Sequence, residues 1–191
     1  MTVPDNSLVF PDRRDGDRFP VLGSTGAPVA WISTRLTSNA FTAADASGRP
    51  LCEASAGRWG LSRTWNALGP RGRPLLTVTF GWFRRSGAVS LARNSLDGNS
   101  LDGSGELTLN GGTWSRAFSV VDRGGNALLR ATPRTSSFSF RQHDYAVETA
   151  AGGLELAEVV ALVQIWRTVR RNESAAAAGG ATAAGAAAAG S

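Results

Sequence analysis

The segment Gly81-Trp82-Phe83-Arg84-Arg85-Ser86-Gly87 sets two aromatic side chains beside two arginines between glycines. Aromatic-plus-basic tips suit a membrane interface, where amphipathic rings sit at headgroup level and cations meet anionic lipid. A purely structural reading packs Trp82 and Phe83 and leaves the arginines in water. Arg71 and Arg73, in Leu68-Gly69-Pro70-Arg71-Gly72-Arg73-Pro74-Leu75, are the next candidates for the same role. All 20 basic residues of the 191-residue chain are arginines, against 15 acidic residues, for a formal net charge of +5. Arginine grips phosphates bidentately, but a GC-rich genome also depletes lysine. The charge balance permits an anionic partner without demanding one.

Enzymatic chemistry lacks its parts. Without lysine there is no Walker A lysine, Schiff base or lysine general base. No G-x-S-x-G elbow is present, and no glycine-rich dinucleotide fingerprint opens a helix. His143 is the only histidine, so a triad or a histidine metal site would rest on it alone. His143 and Asp144, adjacent on a strand, point to opposite faces. Cys52 is the only cysteine; it excludes an internal disulfide and reads as a small core residue. Glu53, Asp122 and Glu148 are surface carboxylates with no spacing that pairs them. Residues 97–105 loosely evoke a calcium loop, but Leu101 stands where an oxygen ligand is needed and no glutamate closes the loop. The reading is therefore a binding module rather than an enzyme, with no cofactor and no metal. Nucleic acid is disfavoured, because the arginines are scattered and no recognition motif appears.

The elements that must position these residues are mostly short strands. Ten runs rich in β-formers alternate with turns: residues 29–32, 41–44, 51–54, 75–80, 88–91, 107–109, 114–121, 127–131, 137–141 and 144–148. Such spacing predicts a sandwich or barrel. Three tracts repeat a strand–glycine turn–strand pattern, around residues 45–51, 68–75 and 122–128, with glycine supplying the positive φ that tight hairpins need. Residues 153–171 form the one convincing helix, and between Val159 and Trp166 only Gln164 is polar. A helix apolar all round must be surrounded. It is too short in apolar residues to span a membrane, and Glu155, Glu158, Arg167, Arg170 and Arg171 close its ends. A sheet curled around it is the simplest surround. Residues 1–27, rich in Pro, Gly and Asp, read as irregular with no export signal. Residues 172–191 read as a disordered Ala/Gly tail.

The strands in Phe138-Ser139-Phe140-Arg141-Gln142-His143-Asp144-Tyr145-Ala146-Val147-Glu148, followed by the apolar helix from Gly153, resemble the end of the LURP-one-related family. That family lies within the tubby C-terminal-like superfamily, which also includes phospholipid scramblases. The resemblance spans about residues 28–171 and rests on patterns of residue class. It implies a mainly β fold: a closed antiparallel barrel of about twelve strands around a central hydrophobic C-terminal helix. A barrel filled in this way has no lumen for a ligand. With the missing catalytic sets and the basic balance, the resemblance points to a non-enzymatic module. The lone cysteine and lack of an export signal set the expectation of a cytoplasmic protein, peripheral to a membrane where it binds lipid. Its expected partners are anionic phospholipid headgroups, reached through Trp82, Arg84, Arg85, Arg71 and Arg73, or alternatively a protein partner in signalling or defence. The proline-rich region and cysteine cluster of scramblases are missing, and no phosphoinositide-binding residue transfers by motif.

Overall fold

The computed structural model describes residues 6–11, 18–34, 39–56, 64–81, 86–92, 106–112, 116–134 and 144–188, with side chains to Glu173. Twelve strands form a closed barrel: β1 (Ser7–Phe10), β2 (Arg18–Leu22), β3 (Pro28–Thr34), β4 (Ala40–Asp45), β5 (Pro50–Ala56), β6 (Thr64–Leu68), β7 (Pro74–Phe80), β8 (Ser86–Leu91), β9 (Glu106–Gly111), β10 (Phe118–Val121), β11 (Ala127–Pro133) and β12 (Tyr145–Thr149). Each strand pairs antiparallel with its sequence neighbours, and β1 closes the ring against β12, with Ser7 opposite Glu148 and Phe10 opposite Tyr145. The strands alternate buried and exposed residues, as a sheet with one wet face must; β7, for example, turns Leu76, Val78 and Phe80 inward.

Eight strands enclose only side chains, whereas twelve leave room for a helix about 10–12 Å across. That helix is α1 (Leu156–Ala188). Val159, Val160, Ala161, Leu162, Val163, Ile165 and Trp166 are all fully buried. Phe118 and Phe80 pack on the Trp166 ring, with centroids 4.9 and 6.4 Å away. Glu158 is buried and reaches back to accept a hydrogen bond of 2.7 Å from the Glu155 amide. It satisfies one of the donors a helix N-terminus leaves open, the glutamate half of a capping box.

Residues 1–27 correct the expectation of an irregular segment, because they contain β1 and β2. Their alternation was present in Ser7-Leu8-Val9-Phe10 and Arg18-Phe19-Pro20-Val21-Leu22 but sits among aspartates and prolines. β6 was also not anticipated. The strand expected over residues 137–141 and the calcium-like tract lie outside the described residues. The tail, residues 172–191, was expected to be disordered, but the described helix continues to Ala188; alanine is the best helix former, so its run extends a helix already nucleated in the barrel.

Among the described residues the glycine-turn repeat occurs four times, at residues 23–27, 45–49, 69–73 and 122–126. In each, the first residue's amide bonds the fifth residue's carbonyl, and the fourth residue's amide bonds the first residue's carbonyl, over 2.7–3.2 Å. The fourth residue is Gly26, Gly48, Gly72 or Gly125, each with φ between 71° and 86°. A register shift follows every one of these loops. Three strands resume there with Pro28, Pro50 or Pro74, where a bulge spares the missing N–H. All four loops lie at the end of the barrel where the helix enters.

Candidate functional site

The barrel's interior is occupied by α1, so the places left for a ligand are outside. A concavity lies on the outer face of β3, β4 and β5. It has a volume of about 580 Å³, within the range of ligand pockets. A neighbouring hollow of about 490 Å³ continues it toward Ala40 and Asn66, sharing Ser33, Thr42 and Glu53. The groove exists because β4 presents only small residues outward: Ala40, Thr42 and Ala44. Taller residues flank them. Register sets Trp31 opposite Ala44 on one side and Glu53 opposite Thr42 on the other.

Arginines stand on both sides of this groove. On β2, Arg18 lies opposite Ser33, and its guanidinium sits 4.7 Å from the Trp31 ring centroid. This cation–π contact fixes a charge that would otherwise sweep freely. On the other side, the 69–73 loop brings Arg71 to the rim. Arg71 is held at φ 62° and ψ 24°, the left-handed region. Among the described residues only Asn6 is another non-glycine with positive φ. For a long side chain this backbone costs about 1 kcal/mol.

The 69–73 loop also differs chemically from two of its sisters. In the 45–49 loop, the Asp45 carboxylate accepts from the Ser47 amide and hydroxyl and from the Arg49 amide and guanidinium, over 2.6–3.1 Å. In the 122–126 loop, Asp122 accepts from the Asn126 amide and side chain at 2.8 and 2.9 Å. These bonds hold both carboxyls below their usual pKa, chiefly through the Ser47 hydroxyl for Asp45 and the Asn126 side chain for Asp122. The 69–73 loop begins with Gly69, so its own chain supplies no such anion.

The sequence-derived candidates separate in space. Arg71 lines the groove; Arg73, exposed, caps the same loop through its carbonyl but does not line it. Trp82, Arg84 and Arg85 lie outside the described residues. The strand ends that flank them, Phe80 and Ser86, lie at the end of the barrel opposite Pro74 and Arg71. One flat surface therefore cannot meet both groups. Glu53, Asp122 and Glu148 fall on β5, the β10–β11 loop and β12 and do not converge. Cys52 is buried, and burial, with the Glu53 charge second, pushes its thiol up to about 12. Such a thiol is inert at neutral pH. His143 lies outside the described residues. Among the described residues no group of three or more His, Cys, Asp or Glu could hold a metal ion. Sequence reasoning did not single out Arg18 and Trp31; the signal was the alternation in β2 and β3, which puts both outward.

A second feature is the end where α1 leaves the barrel. Arg18, Arg116, Arg134, Arg167, Arg170 and Arg171 gather there, against Asp144 and Glu173 among the described residues. At the helix-entry end the described residues Arg49, Arg71, Arg73 and Arg123 stand with Asp45, Glu106, Asp122, Glu155 and the buried Glu158. Some exit-end arginines also build structure. Arg167 donates to the Pro11 carbonyl at 2.9 Å, and Arg170 lies 4.3 Å over the Trp166 ring while pairing with Glu173 at 2.9 Å.

The LURP-one-related (LOR) family matches residues 9–166 of this sequence. The chain belongs to that family. A solved structure of a protein from Arabidopsis thaliana, AT5G01750, superposes with a TM-score of 0.58 at 14% identity, covering 86% of this chain and 91% of that one. That likeness shows a shared fold. No curated protein matches the sequence. The family match begins inside β1, consistent with the first two strands being part of the LOR barrel.

Proposed function

We propose that this LOR domain is a non-enzymatic module that rests on anionic phospholipid surfaces through the end of the barrel where α1 emerges. The observation that carries this reading is the imbalance of charge between the two ends among the described residues: six arginines against two acids at the exit, four against five at the entry. Each cation close to an anionic surface adds about 1 kcal/mol, so a few exposed arginines yield micromolar-to-millimolar binding. The connection from Gly81 to Ser86 begins and ends at this same barrel end, which favours Trp82, Arg84 and Arg85 over Arg71 and Arg73 as membrane contacts. No helix among the described residues is long and apolar enough to cross a membrane, so association through the exit end would be peripheral. The superfamily that the LOR resemblance implies also holds phospholipid scramblases and phosphoinositide-binding tubby proteins, which favours a lipid partner over a protein one.

The test is cosedimentation with phosphatidylserine- and phosphoinositide-containing liposomes. Wild type should pellet at low salt and be released as salt rises, since screening shortens to about 3 Å at 1 M. Arg84→Ala/Arg85→Ala and Arg134→Ala/Arg171→Ala should each pellet less. Failure of wild type to bind any anionic liposome at low salt would leave a protein partner as the better reading.

A further inference from the structure

The outer groove shares Arg18 with the basic end but runs from there along the barrel wall to the helix-entry loops, and it calls for a different occupant. We infer that it is a docking site for an extended, acidic peptide segment of a partner protein. Its shape is the first argument. The two contiguous hollows run along β4 from Ala40 to the 45–49 and 69–73 loops and lie on the surface rather than inside the barrel. A chain segment can lie along such a track. Its chemistry is the second argument. Ser33, Thr42 and Ser55 offer hydroxyls along the track, and Asn66 an amide. Trp31 forms a flat apolar wall. Arg18 and Arg71 flank it on opposite sides, with Glu53 between them. Carboxylates toward the two ends of the peptide and uncharged hydrogen-bonding residues in its middle complement that order. The third argument is the backbone of Arg71. An arginine held at positive φ works against stability, and such strain concentrates where function needs a side chain in place. A glycine would make the same turn without strain but without the cation. Arg18, held over Trp31, is pre-set in the same way.

The probe is a fluorescein-labelled octapeptide with two aspartates at each end and serine and asparagine between, read by fluorescence anisotropy against the full chain at low salt. A matching peptide with lysines for aspartates is the control. The acidic peptide should bind and the lysine peptide should not. Arg71→Gly should lower affinity at least tenfold without lowering the melting temperature, because it relieves the backbone while removing the charge. Thr42→Trp, which fills the floor from an exposed position, should do the same without changing the fold. Equal binding of both peptides, no binding of the acidic one, or binding indifferent to both substitutions would each overturn the proposal. So would loss of anionic-liposome binding in Arg71→Gly with peptide binding intact, which would make the groove a lipid-headgroup site. The membrane reading fails on a separate result, the behaviour of wild type with liposomes.

Discussion

Trp166 and Tyr145 share one acceptor: the indole Nε1 of the central helix and the phenol of β12 each donate to the Arg116 carbonyl at 3.0 Å. A residue 50 positions before Trp166 thus ties the helix to the barrel wall at its exit. Burial raises the Tyr145 pKa, so the phenol stays protonated and donating throughout the neutral range.

This shared acceptor predicts non-additive mutations. Tyr145→Phe removes one donor and should cost about 1 kcal/mol. Trp166→Phe removes the other and leaves space in the core, costing roughly 1–3 kcal/mol. While either donor remains the carbonyl stays served. The double variant should therefore lose about 0.5–1 kcal/mol more than the sum. Urea unfolding of the four proteins measures this; strict additivity would mean the two bonds act independently.

The central helix tolerates no charge. Val160 and Leu162 are fully enclosed by the barrel. Val160→Asp or Leu162→Asp places an unpaired carboxylate there at a cost of several kcal/mol, comparable with the stability of a whole domain. Either variant should be unfolded or collapsed at 25 °C by near-UV circular dichroism. A wild-type melting temperature would refute the enclosed helix.

How much of this was legible from sequence follows from which physics each feature depends on. The helix was legible because an apolar run from Val159 to Trp166 has one explanation whatever surrounds it. Nine of the ten expected strand runs coincide with or overlap described strands, because alternation is a local signal. β2 was hidden because Pro20 reads as a breaker, although β2 pairs with β1 only where Val9 faces Leu22, so the missing N–H at Pro20 costs no ladder bond on that edge. The first glycine turn, residues 23–27, lacks the aspartate that marks two of its sisters. The groove was not legible at all. It arises from three small outward residues on β4 lying between Trp31 and Glu53, and only register brings those together. Arg71 was legible as a cation but not as a strained one.

Acid should destabilise the hairpin turns in a traceable way. Asp45 and Asp122 have folded-state pKa values below the ordinary carboxylate range. Their contribution is therefore fully present above the unfolded value near 4 and is lost as pH falls through the lower folded values. The melting temperature of wild type should drop on acidification below about pH 4. Asp45→Asn/Asp122→Asn should melt lower at pH 7 and show a flatter fall between pH 4 and 2. Parallel curves for the two proteins would remove these carboxylates from the acid response.

The far end of α1 should be dispensable. Asn172 donates to Asn39 at 2.9 Å, and Arg170 donates to the Gly112 carbonyl at 3.3 Å, so the last hydrogen bonds from helix to barrel among the described side chains fall at residues 170–172. Beyond Glu173 the helix runs on through alanines interrupted by Gly179, Gly180 and Gly185. Each such glycine costs about 1 kcal/mol relative to alanine, and a free helix of this length is marginal in water. The barrel removes the nucleation cost, so the extension forms in the cold and melts first. Truncation after Glu173 should leave the main melting transition unchanged while reducing helical ellipticity at low temperature. A lowered transition would show that the segment packs on the barrel; unchanged ellipticity would show that it is not helical in solution.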